Sequence, residues 1–200
     1  KGQPTGVFKD NAAGLIYAIM PPVSEPMRDR ALAMAMDFVA SKGVTSVHHM
    51  GSWEELATFR KAQKNKTLKT RIYANVPLST WASLEKEVAK NGRGDDWVKI
   101  GGLKGFVDGS LGSHTAAMME PFIDSHHDKG LFVTPLDSLY SYVSKADQAG
   151  LQVMVHAIGD NAILQQLNIY ERIARENGAK DRRFRIEHAQ HIAPADIPRF

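Results

Sequence analysis

The sequence predicts an α/β fold in which helices cover a parallel sheet. Strand and helix patterns alternate along the chain, and the strands are continuous apolar runs rather than one-sided ones. No GxGxxG or GxxxxGK[ST] phosphate loop follows any strand, which weakens the nucleotide-binding open-sheet version. Pattern alone leaves a doubly wound sheet and a TIM barrel both open.

The elements follow in order. A helix starts at Ser24 with Pro26 in its first turn; Met27, Ala31, Met34, Ala35, Phe38 and Val39 form its apolar face, and Gly43 stops it. The strand Val44 to His48 comes next. Ser52 to Glu55 (SWEE) has the form of a capping box, opening a second helix. Thr70 to Val76 is a strand, Ser79 to about Asn91 a helix ended by Gly92 and Gly94, and Trp97 to Val107 a strand. Asp108 to Thr134 lacks periodicity and is long for a connection, which marks it as a functional loop. It is expected over the mouth of the fold, readily cut by proteases, with DGSLGSH near substrate and His126 and His127 more exposed. Pro135 to Gly150 is then a helix, Leu151 to His156 a strand, Asp160 the cap of a helix facing inward through Ile163, Leu167 and Tyr170, and Phe184 to His188 a strand.

Composition narrows the function classes. The 200 residues are 43% hydrophobic and 24% charged, as expected of one globular domain. The absence of cysteine excludes thiolate metal sites, so a metal here needs nitrogen and oxygen ligands. A net charge of +3, with six basic residues between Arg60 and Arg71, is too sparse for a nucleic-acid footprint. That stretch reads as a solvated helix end, with a phosphate patch as the other option. No apolar run suits a membrane span and the start has no signal-peptide pattern, so the expected compartment is cytoplasmic.

In parallel α/β folds reactive side chains gather at the C-terminal strand ends. His156 closes VMVH and His188 closes FRIEH, at equivalent places on successive strands. Each could be a structural histidine, but together they make half of a site for zinc or a similar ion. Glu187, one residue earlier, is expected to point to the opposite face. His48 and His49 are adjacent and cannot both face one site. Lys104, in IGGLKGFVDG, either faces outward between helices or needs a partner or a modification inside. Asp108, Ser110 and His114 offer loop chemistry, although a turn explains Asp-Gly equally well. Asp160 is either an acid near the metal or a helix cap.

KGFVDGSLGSHTAAMMEPF, VMVHAIGDNAI and FRIEHAQHI, in that order, closely resemble the amidohydrolase superfamily, in the family 3 branch that includes N-substituted formamide deformylase. GQPTGVFKDNA and GVTSVHHMG resemble it too, so the likeness spans residues 1–200. The resemblance implies a partial TIM-like barrel, about strands two to six, of an enzyme that hydrolyses C–N bonds of small amide-type or formamide-type molecules. It implies one or two divalent ions, zinc first, held by His156, His188 and Lys104, the last carboxylated in many relatives. Asp108, Ser110 and His114 become substrate-binding candidates.

The HxH pair of the family's first strand and the aspartate of its eighth are absent, so the chain alone is expected to be inactive. The alternative is a non-catalytic binding or structural domain on a degenerate barrel. Neither nucleic acid nor membrane is an expected partner, and open sheet edges predict self-association.

Overall fold

A computed structural model describes residues 5–200; the Gly2–Pro4 start of the GQPTGVFKDNA motif lies outside the described residues. Five strands, β1 (Ser46–Met50), β2 (Arg71–Pro77), β3 (Val98–Phe106), β4 (Gln152–Ala157) and β5 (Arg185–His188), form one parallel sheet in the order β1-β2-β3-β4-β5. Each strand lies beside its sequence neighbour, so the sheet lacks the order reversal of a doubly wound fold. The fold is a partial TIM-like barrel with β1 and β5 at its edges.

The helices are α1 (Gly14–Tyr17), α2 (Glu25–Ser41), α3 (Trp53–Lys64), α4 (Trp81–Asn91), α5 (Leu136–Gln148) and α6 (Asp160–Glu176). The capping box at the start of α3 is complete: Glu55 N–H donates to Ser52 Oγ at 3.3 Å, and Ser52 N–H donates to Glu55 Oε2 at 2.8 Å. Val143, Ile163 and Ile173 are fully buried against the sheet, which anchors α5 and α6. The basic stretch behaves as a solvated helix end. Arg60 pairs with Glu87, Lys61 with Glu25 and Asp29, and Lys69 with Asp37.

The apolar face expected of α2 is not the buried one. Met27, Met34 and Phe38 are 54%, 66% and 64% exposed, whereas Met36, on another side of the helix, is 5% exposed and Leu32 packs beside it. A periodic stripe is buried only where a second element covers it, and among the described residues none covers this one. On its inner side α2 leaves an apolar cleft of about 270 Å³ against β1 and α3.

Alternation gives each strand a helix-facing and a concave side. Val47, Ile72, Ala74, Leu103, Val153 and Val155 join the helix-packed core. On the concave side the register aligns Pro77, Lys104, Met154 and Arg185 in one row, and Phe106, His156 and Glu187 in the row nearer the strand ends.

A bulge creates this alignment. Ala74 pairs with Ile100 but Asn75 with Gly102, which leaves Gly101 as the extra residue, with φ +133°. Without it, the phase that points Ile100 at the helices would send Lys104 there as well; with it, Lys104 turns to the concave side. Glycine suits the position because side chains disfavour that φ and a Cβ would come within 2.1 Å of Arg93 Nη1.

Candidate metal centre

His156 stands at the C-terminal end of β4, nine-tenths buried. Its Nε2 lies 2.7 Å from the Gly109 carbonyl oxygen. A carbonyl can only accept, so Nε2 carries the proton and the lone pair belongs to Nδ1. Nδ1 makes no hydrogen bond to a described residue. An imidazole held by its N–H on a backbone carbonyl, with the other nitrogen unengaged, has the orientation of a metal ligand.

His188 reaches the same place by an unexpected backbone route. Its partner in the ladder is Ala157, a helix-facing residue, so regular strand geometry would point it away from His156. Left-handed conformations at His188 (φ 73°) and Ala189 (φ 46°) end β5 and bring the ring edge-on to His156, with 4.6 Å between centroids. Such conformations are uncommon for residues with a side chain and cluster at functional sites.

The same reversal overturns the expectation for Glu187. In register with His156, it faces the concave side and shares the site with both histidines. Its carboxylate raises the pKa of Lys104 and of His188, although other effects dominate at each.

Lys104 is only 8% exposed, so the outward-facing reading does not hold. Its Nζ donates to Gly105 O at 2.8 Å and sits 3.6 Å above the Phe106 ring, which in turn lies 5.4 Å from the His156 ring. Burial lowers its pKa from 10.5 to about 8. Burial also holds the His188 pKa below its ordinary value, with His156 and Lys104 adding to the effect.

Asp108 lies beneath the mouth, 1% exposed. Its carboxylate accepts from Ala117 N–H at 2.9 Å, Ile158 N–H at 3.0 Å and Gly159 N–H at 2.8 Å, and stands 3.4 Å from His156 Nε2. It therefore ties the loop that follows β3 to the turn that carries His156 into α6. Ser110 is exposed and hydrogen-bonds Ser113 Oγ at 2.8 Å. His114 stacks on Phe122 at 4.5 Å and lies 3.1 Å from Asp124 Oδ2. Gly159 holds the cap position of α6, so Asp160 is the first helical residue and not the cap. Its Oδ1 accepts from Met119 N–H and Asn161 N–H, both at 2.8 Å, which spends the acid on the loop and the helix start.

The long loop has two halves. Thr115 to Ala117 are buried, with Ala117 O accepting from Ala162 N–H, whereas His126 and His127 are exposed as expected. Ready cleavage along its whole length is therefore not expected; the accessible part is the second half. The two adjacent histidines of β1 split as anticipated. His49 goes to Phe59 and Glu55 on the helix side, and His48 to Tyr73 on the concave side.

The structure thus brings His156, His188 and Lys104 to one end of the sheet and places Ser110 and His114 on the loop leaving that end. Among the described residues, no group of three or more His, Asp or Glu side chains is placed to hold a metal ion. The two imidazoles fit a divalent ion as part of a shell, not as all of it. Arg185 and Glu187 were missed as concave-side residues. Their spacing of two puts them on one face, and the register with Met154 and His156 makes it the concave one.

Comparison with known proteins agrees with the fold. The model of a family described as Amidohydrolase family matches residues 1–200. The chain is 37% identical over 211 residues to Protein LONG AFTER FAR-RED 3 of Arabidopsis thaliana, covering 100% of this chain and 36% of that protein. It is 33% identical over 198 residues to a Bacillus subtilis (strain 168) protein named Putative amidohydrolase YtcJ, covering 94% and 36%. Two solved structures, uncharacterized metal-dependent hydrolases from Pyrococcus furiosus and Pyrococcus horikoshii, superpose with TM-scores of 0.80 at 26% and 25% identity. They cover 98% of this chain and 42% and 41% of theirs. The chain spans little more than a third of the length of these curated relatives.

Proposed function

The chain belongs to the amidohydrolase family, and from that premise we propose that it supplies the central strands of a metal-dependent hydrolase acting on C–N bonds of small amide-type or formamide-type molecules. The observation that carries this reading is the His156 ring, pinned through Nε2 to Gly109 O with its Nδ1 unengaged and the His188 ring edge-on to it. His156 and His188 would hold the ion, zinc being the first candidate for a nitrogen-rich, cysteine-free site. When bound, such an ion supplies polarisation of the scissile carbonyl and acidifies water near neutral pH.

Lys104 is the third ligand of the proposal. Its amine faces the concave side with a carbonyl and an aromatic ring as neighbours. Addition of its neutral amine to carbon dioxide, with loss of a proton, would turn a costly buried cation into an oxygen donor. Ser110 and His114 lie on the loop over the strand ends, where side chains meet substrate in barrels of this kind. Asp108 acts beneath them by holding the loop and the His156 turn together. The uncovered apolar face of α2 supports self-association with a second copy.

Zinc affinity, measured by competition with a chromophoric chelator, tests the metal reading. The expected result is reversible binding that His156→Ala and His188→Ala each weaken by more than the roughly 10–100-fold cost of losing an outer-shell partner. Affinity unchanged in both variants contradicts the reading.

A further inference from the structure

The concave side carries a charged chain that the proposed ligands do not use. Arg185 follows Pro77, Lys104 and Met154 in their row, and Glu187 lies one row nearer the strand ends, level with Phe106 and His156. One nitrogen of the Arg185 guanidinium, Nη2, stands 2.9 Å from Glu187 Oε1. The other, Nη1, stands 2.9 Å from His48 Nδ1 on β1, at the far edge of the sheet and 137 residues away in sequence. A guanidinium has no acceptor, so His48 Nδ1 accepts and its proton resides on Nε2. Glu187 Oε1 is buried and has no well-aligned hydrogen-bond donor, so its position depends on the charge of Arg185.

We propose that Arg185 is a positioning residue of the metal centre, one that holds the Glu187 carboxylate on the concave side level with His156 while bracing the fifth strand against the first through His48. The inference rests on the metal reading above. The fork of the guanidinium matters because it serves two acceptors on two strands at once, which a lysine ammonium on its flexible stem does less well. The pair is partly exposed, with side-chain accessibilities of 37% for Arg185 and 19% for Glu187, so its contribution to folding is modest and its effect on geometry is the better readout.

The test compares Arg185→Met and Arg185→Lys with the unaltered protein, using zinc affinity, ¹⁵N spectra of the histidine rings and melting temperature. Arg185→Met is expected to weaken zinc binding about tenfold, within the range for outer-shell partners. The His48 ring should pass from the Nε2–H form to a mixture of tautomers, while melting shifts by only a few degrees. Arg185→Lys should recover part of the affinity. Zinc affinity within twofold of the unaltered protein in Arg185→Met, together with its loss in His156→Ala, overturns this proposal alone. Absence of zinc binding in the unaltered protein overturns it together with the metal reading, and a His48 tautomer indifferent to Arg185→Met overturns the brace.

Discussion

Replacing Asp108 with alanine is expected to lower folding stability by about 3–5 kcal/mol, because three backbone amides lose the one acceptor they share and each buried unsatisfied donor costs about 1–3 kcal/mol. The carboxylate is 1% exposed and binds Ala117, Ile158 and Gly159, which belong to the loop after β3 and the turn after β4. For a chain of this size the loss corresponds to a melting decrease of roughly 10 °C. Asp108→Asn should lose less, because the amide retains one acceptor oxygen and the shape of the side chain. Zinc affinity should fall alongside stability, since the Gly109 carbonyl that orients His156 is fixed by the neighbouring residue. Thermal and urea denaturation check the first effect; a loss below about 1 kcal/mol in Asp108→Ala would contradict the bracing role.

Lys104→Met is expected to do the opposite at neutral pH. Burial holds the folded-state pKa of Lys104 at about 8, below its ordinary 10.5, so the cost of burying the ammonium is present in full below pH 8. Between about pH 8 and 10.5 the folded protein gives up this proton before the unfolded chain does. The unfolded state then binds more protons, and stability rises with pH across that window. A shift of this size corresponds to at most about 3 kcal/mol, from which the contact with the Phe106 ring and the hydrogen bond to Gly105 must be subtracted. The variant should therefore be about 1–2 kcal/mol more stable than the unaltered protein at pH 7 without metal. The difference should shrink toward pH 10.5, the ordinary value for the lysine. Urea midpoints at pH 7, 8.5 and 10 measure it, and a difference that grows with pH contradicts the sign. Zinc binding should weaken in the same variant, so stability and metal affinity move in opposite directions.

Much of this was legible in the sequence because the signals are local. The Ser52–Glu55 box, the apolar strands and the glycine stops depend on a few neighbouring residues, and the five strands follow from them. The strand-end positions of His156 and His188 were legible for the same reason. What escaped were changes of phase. Whether Lys104 faces in or out turns on one extra residue, Gly101, which no periodicity announces. That Glu187 and His188 share a side turns on the left-handed conformation of His188, which the sequence does not mark with a glycine. The face of α2 was misjudged because an apolar stripe specifies that it can be buried, not what lies next to it. The hold of Asp108 on three amides is non-local: Ile158 lies 50 residues along the chain, and the Asp-Gly pair alone suggested a turn.

The central claim is that His156 and His188 bind one divalent ion, with His156 coordinating through Nδ1. Titrating zinc into protein carrying ¹⁵N-labelled histidine tests it most directly. The expected result is a metal-induced shift of His156 Nδ1 and of one nitrogen of His188, saturating together, while His156 Nε2 stays protonated on Gly109 O. Saturation of other histidines, such as His126 and His127, with the His156 and His188 rings unmoved would contradict it.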